Sequence, residues 1–139
     1  MTGNSKQVDL EKYAVFVDGV TSNPSKDYKS FLDSIDYLDG EGSNIQRLLT
    51  AAVGISAEGG EFMEIVKKML FQGKPWNDDN REHLIIELGD VMWYVMQACK
   101  ALDVSLDEVI AGNVEKLKKR YPGGDFNVYH SENRAADDR

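Results

Sequence analysis

Cysteine is nearly absent from this chain: Cys99 stands alone among 139 residues, so no internal disulfide can staple the fold. A lone thiol on an apolar helical stripe is expected to be a small buried hydrophobe, and a cytoplasmic setting is the default expectation. Histidine is scarce as well. His83 and His130 complete no Glu-x-x-His pair, which argues against a carboxylate-bridged di-iron bundle. Basic residues are outnumbered, 16 Lys and Arg against 24 Asp and Glu, for a formal net charge of −8. That balance disfavours nucleic acid and anionic membranes as partners, because both need a basic face. It also makes an anionic substrate hard to hold without bound cations. No stretch approaches the length of a transmembrane helix, and the opening Met-Thr-Gly-Asn-Ser-Lys has no apolar leader. Strand alternation, internal repeats and low-complexity tracts are lacking too.

What the chain does have is 42% hydrophobic residues with helical periodicity almost throughout. The length suits one core and one domain. The pattern predicts an all-α bundle of about five helices: residues 8–17, 26–38, 44–72, a fourth beginning near 79, and a fifth from 105 to 121. Breaks fall at Thr21-Ser-Asn-Pro24, Asp39-Gly-Glu-Gly42, the loop 73–79 and Pro122-Gly-Gly. Ser43 or Asn44 can cap the third helix, while Asp79 with Glu82 and Ser105 with Glu108 have capping-box spacing. A single domain is expected over 1–122, followed by a loose polar tail over 123–139. Helices three and four are apolar around much of their circumference, which predicts an oligomer, at least a dimer.

Acids are the informative presence. Glu58-Gly-Gly-Glu61 is followed, after 25 intervening residues, by Glu87-Leu-Gly-Asp90. Acids three apart are neighbours on a helix, and such pairs usually just face solvent. Helical phase argues otherwise here. At about 100° per residue, Glu58 falls among Ile55, Phe62, Ile65, Val66 and Met69, with Glu61 at the edge of that face. Glu87 and Asp90 are likewise flanked by apolar residues and turned away from the strip carrying Glu82, Gly89 and Lys100. Unpaired carboxylates are costly in such places. Two helices side by side would bring four acids together, and a hard cation with oxygen ligands, Mg²⁺, Mn²⁺ or Ca²⁺, is what neutralises such a group. Glu64 drifts off the face and reads as a solvated neighbour.

The fifth helix carries cations where apolar residues are expected. Asn113 and Arg120 share a face with Leu106, Val109, Ile110 and Leu117, and Lys116 lies at its edge. Set beside bound cations, these three residues suit a polyphosphate. Lys67 and Lys68 point away from Glu58 and read as solvated. Trp76, in a loop with Lys74 and Pro75, is a candidate for stacking on a base. Trp93 offers the same ring, but core packing is its expected role.

The stretch from Gly54 to Arg120, with Glu58-Gly-Gly-Glu61, Glu87-Leu-Gly-Asp90-Val-Met-Trp-Tyr and Asn113-Val-Glu-Lys116-Leu-Lys-Lys-Arg120, resembles the MazG-like nucleotide pyrophosphohydrolases of the all-α NTP pyrophosphatase superfamily. The segment from Tyr13 to Thr21-Ser22 resembles the family's first helix more weakly. Gly59 departs from relatives that often carry Ala there. The resemblance implies a homodimer or homotetramer that hydrolyses a nucleoside triphosphate to the monophosphate and pyrophosphate with Mg²⁺, or Mn²⁺ as substitute. It implies Glu58, Glu61, Glu87 and Asp90 as metal ligands and Asn113, Lys116 and Arg120 as substrate contacts. For catalysis, Glu61 at the pocket edge is the candidate to orient water, beside Glu58. Other readings stay open: a dUTPase-like or phosphoribosyl-ATP-like substrate within the superfamily, or an inactive helical module that binds a nucleotide or a protein.

Overall fold

In a computed structural model, residues 6–134 are described, and they contain helices and no strand. The opening residues read above for a leader fall largely outside this span. The chain divides into two compact units, one ending at Ser43 and one beginning at Asn44.

The first unit holds α1 (Leu10–Gly19), α2 (Asn23–Lys26) and α3 (Tyr28–Gly40). Asp9 caps α1 by accepting from the Lys12 N–H at 3.1 Å. The expected break after α1 falls at Thr21 and Ser22, while Asn23 and Pro24 already open α2, whose first turn accepts proline because no N–H is needed there. Asp27 ends α2 and caps α3, accepting from both Ser30 N and Ser30 Oγ, at 2.9 and 2.8 Å. Those bonds favour the ionised carboxylate and hold its pKa below the usual range.

The second unit holds α4 (Ile45–Phe71), α5 (Asp78–Leu102), α6 (Leu106–Arg120) and α7 (Val128–Glu132). Asn44 caps α4, and Ser105 caps α6 by accepting from Glu108 N at 3.1 Å, both at expected positions. The cap of α5 differs from expectation. Asn77 takes it, accepting from Asn80 N at 2.8 Å, so Asp78 and Asp79 lie in the first turn, where acids complement the helix dipole. Left-handed residues end both long helices. Gly73 (φ 70) follows α4 as the Lys74 N–H donates back to Lys68 O, and Asp103 (φ 51) follows α5 as Val104 N–H donates to Cys99 O. Within the polar segment after 122, α7 is capped by Asn127.

The dominant packing in this unit is α4 against α5, a helical hairpin closed by residues 72–77. Among the described residues, Ala51, Ile65 and Cys99 form the buried apolar core, Cys99 as expected from its phase. The broad apolar arc of α5 is split in two. Leu84, Val91, Val95 and Ala98 are partly buried, whereas Ile85, Leu88, Met92 and Met96 form an exposed stripe, Leu88 at 53%. No helix among the described residues is long and apolar enough to cross a membrane.

Candidate metal centre

The helical hairpin is tightest where Gly54 of α4 meets Tyr94 of α5. A methyl group built on Gly54 would lie within the Tyr94 ring, so α5 can approach only because this residue has no side chain. One turn along each helix stand Glu58 and Asp90, with Glu87 a further turn back. Close backbone approach is thus what brings acids from two helices to one place.

Three of the four anticipated ligands gather there. Carboxylate oxygens of Glu58, Glu87 and Asp90 all lie within 4.8 Å of one another. Oxygens bound to one divalent cation at 2.0–2.6 Å are themselves about 3–5 Å apart, so the spacing matches a coordination shell. Glu61 lies outside this trio and is exposed, a turn from Glu58 on α4. Its charge still reaches Glu58.

Electrostatics show the strain that a cation would relieve. The Glu58 carboxyl is raised above the usual carboxylate range, first by a hydrogen bond shared with Glu87, then by desolvation and the charges of Asp90, Glu87 and Glu61. Protonated Glu58 would donate to its neighbour; ionised, the two repel. The Glu87 side chain is only 12% exposed, and its Oε2 is buried without a hydrogen-bond partner among the described residues. A buried, unpaired carboxylate oxygen in a group of acids is costly unless a cation meets it. The donor set, oxygen only, fits Mg²⁺, Mn²⁺ or Ca²⁺ rather than a softer metal.

The surroundings sort the remaining candidates. Glu64 is engaged by Lys67 at 3.4 Å and Lys68 at 3.3 Å, which holds its pKa low and occupies both lysines away from the trio. Asn113 is exposed on α6, while Lys116 and Arg120 on the same helix are partly buried. Trp76 is 68% exposed in its loop. Trp93 does not pack in the core as expected: it is 58% exposed, its ring edge-on to Tyr94, because the face of α5 beyond Asp90 turns out of the hairpin. His83, which completes no Glu-x-x-His pair, has a different neighbour. Its Nε2 lies 3.2 Å from Glu87 Oε1, a contact the four-residue spacing on one helix could have signalled.

Comparison with known proteins agrees with this geometry. A family model described as the MazG nucleotide pyrophosphohydrolase domain matches residues 46–124, a span holding the whole trio and α6. The Gene 37 protein of Mycobacterium phage L5 is 40% identical over 86 residues, covering 61% of this chain and 75% of that protein. No solved structure matches significantly. With more than half its length under the family model and four acids in phase on two packed helices, the chain belongs to the MazG nucleotide pyrophosphohydrolase domain family.

Proposed function

We propose that this protein is a Mg²⁺-dependent nucleoside triphosphate pyrophosphohydrolase that converts a nucleoside or deoxynucleoside triphosphate to its monophosphate and pyrophosphate. The observation that carries the reading is the convergence of Glu58, Glu87 and Asp90 within 4.8 Å across α4 and α5, with Glu87 Oε2 buried and unpartnered among the described residues. Those three, with Glu61, would hold the cation. When bound, Mg²⁺ or Mn²⁺ would supply polarisation of phosphoryl oxygens and acidification of a water. Glu61 is exposed beside the trio and takes the role of orienting the attacking water and accepting its proton at a carboxylate oxygen. Asn113, Lys116 and Arg120 bind the phosphates, with Arg120 offering a forked pair of donors to the departing pyrophosphate. Trp76 gives the base a flat, accessible surface.

The working form is a homodimer or homotetramer. The exposed stripe Ile85, Leu88, Met92 and Met96 recurs at helical spacing on α5 alongside its partly buried positions, and a second copy would cover it. A cytoplasmic location accompanies this reading.

A panel of nucleotides incubated with Mg²⁺ and analysed by phosphorus NMR tests it. Equal amounts of monophosphate and pyrophosphate, no diphosphate intermediate and complete loss of turnover in EDTA are expected. Orthophosphate and nucleoside diphosphate as first products would mark a different hydrolase on a similar scaffold. No turnover of any nucleotide would favour a binding module.

A further inference from the structure

The two oxygens of Glu87 have different surroundings. Oε1 lies 3.2 Å from His83 Nε2, one turn earlier on α5. A carboxylate can only accept, so the imidazole donates from Nε2–H in this contact. Oε2 is buried with no hydrogen-bond partner found among the described residues, so a cation facing Glu87 beside the ionised Glu58 can bind it without displacing the histidine. The Glu87 side chain is 12% exposed and has little room to turn, whereas His83 is half exposed at 50% and is not part of the core.

From this geometry we infer that His83 is a positioning residue that commits Glu87 to binding through Oε2 alone, which selects a small octahedral cation over Ca²⁺. The inference rests on the metal-site reading above. Mg²⁺ takes about six ligands at 2.0–2.1 Å and suits one oxygen per carboxylate; Ca²⁺ takes 6–8 oxygens at 2.3–2.6 Å and often uses both oxygens of one carboxylate. Bidentate ligation by Glu87 would set the cation on the same oxygen that accepts from the histidine, so the two positive groups would compete for Oε1. The contact therefore disfavours the larger ion and steadies the ligand for the smaller one. Partners of this kind around metal-bound carboxylates typically change affinity 10- to 100-fold.

The test measures Mg²⁺ and Ca²⁺ affinities by calorimetry, and Mn²⁺ binding by electron paramagnetic resonance, on the full chain and its His83→Ala and His83→Gln variants. Expected for His83→Ala is a roughly tenfold fall in Mg²⁺ and Mn²⁺ affinity with Ca²⁺ affinity kept or improved, so that the Mg²⁺/Ca²⁺ preference falls about tenfold. Glutamine keeps an N–H donor near the Nε2 position and should restore the preference. An unchanged preference in His83→Ala, or a His83→Gln protein that behaves like His83→Ala, overturns the inference while leaving the metal site standing. If the wild type binds none of these cations, or binds them equally after Glu87→Gln, the site reading fails and the inference falls with it.

Discussion

Replacing Gly54 by alanine tests the packing on which the candidate site depends. In a solvent-exposed helix the change would stabilise by about 1 kcal/mol, since alanine is the better helix former. At this position the new methyl group would overlap the Tyr94 ring. Overpacking a tight contact typically costs about 1–3 kcal/mol, and overlap with a whole ring belongs at the upper end. The net expectation is a loss of about 2 kcal/mol. Gly59 and Gly60 lie on the same helix with nothing within 4 Å of an added Cβ, so Gly59→Ala should gain roughly 0.5–1 kcal/mol. Urea unfolding followed by circular dichroism, at fixed protein concentration because subunit association would shift the midpoint, should separate the two variants by roughly 1–2 M.

The same substitution reports on the acids. If α4 and α5 move apart to admit the methyl group, Glu58 withdraws from Glu87 and Asp90, and Mn²⁺ affinity falls along with stability. Removing the ring should abolish the penalty, so Gly54→Ala in a Tyr94→Ala background is expected to cost nothing. A Gly54→Ala protein as stable as Gly59→Ala, or the same penalty with and without the Tyr94 ring, would refute the reasoning.

Glu58→Gln, Glu87→Gln and Asp90→Asn should each abolish Mg²⁺-dependent turnover in a folded protein, whereas Glu64→Gln should be mild; near-normal turnover in Glu58→Gln would remove the site assignment. Because the fold raises the Glu58 pKa, its contribution to metal-free stability is fully present below the ordinary carboxylate value and is lost as pH rises through the raised one. Melting temperature in EDTA should therefore fall over that window in the wild type and not in Glu58→Gln, and parallel curves would contradict this. Arg120→Ala should lower kcat/KM roughly 10- to 100-fold, from about 1.5–3 kcal/mol per hydrogen bond to a charged group; unchanged steady-state kinetics would exclude the phosphate role. Ser105→Ala should cost about 1 kcal/mol in urea melts by freeing the Glu108 N–H at the start of α6, and no loss would show that solvent replaces the cap.

By itself the sequence determined the five longer helices, most of their ends and the angular place of each acid around its own axis, but not the short α2 and α7. Periodicity and capping are local properties: Ser105 and Asn44 cap where their spacing says, and Glu58 and Glu87 fall on apolar faces because 3.6 residues make a turn. The paired tetrads supplied the acids, three of which meet in one cluster. Where several local choices were equally good, spacing could not decide, as when Asn77 rather than Asp79 took the cap of α5. Tertiary structure decided what periodicity leaves open, namely which part of a wide apolar arc meets a neighbour. It turned Val91, Val95 and Cys99 inward and left Leu88 and Met92 outside, exposed Trp93, and drew Glu58, Glu87 and Asp90 together while leaving Glu61 at the margin. The physical reason is the fit of Gly54 under the Tyr94 ring: an angle about one helix axis says nothing of distance to another, and that distance is set where two surfaces can approach.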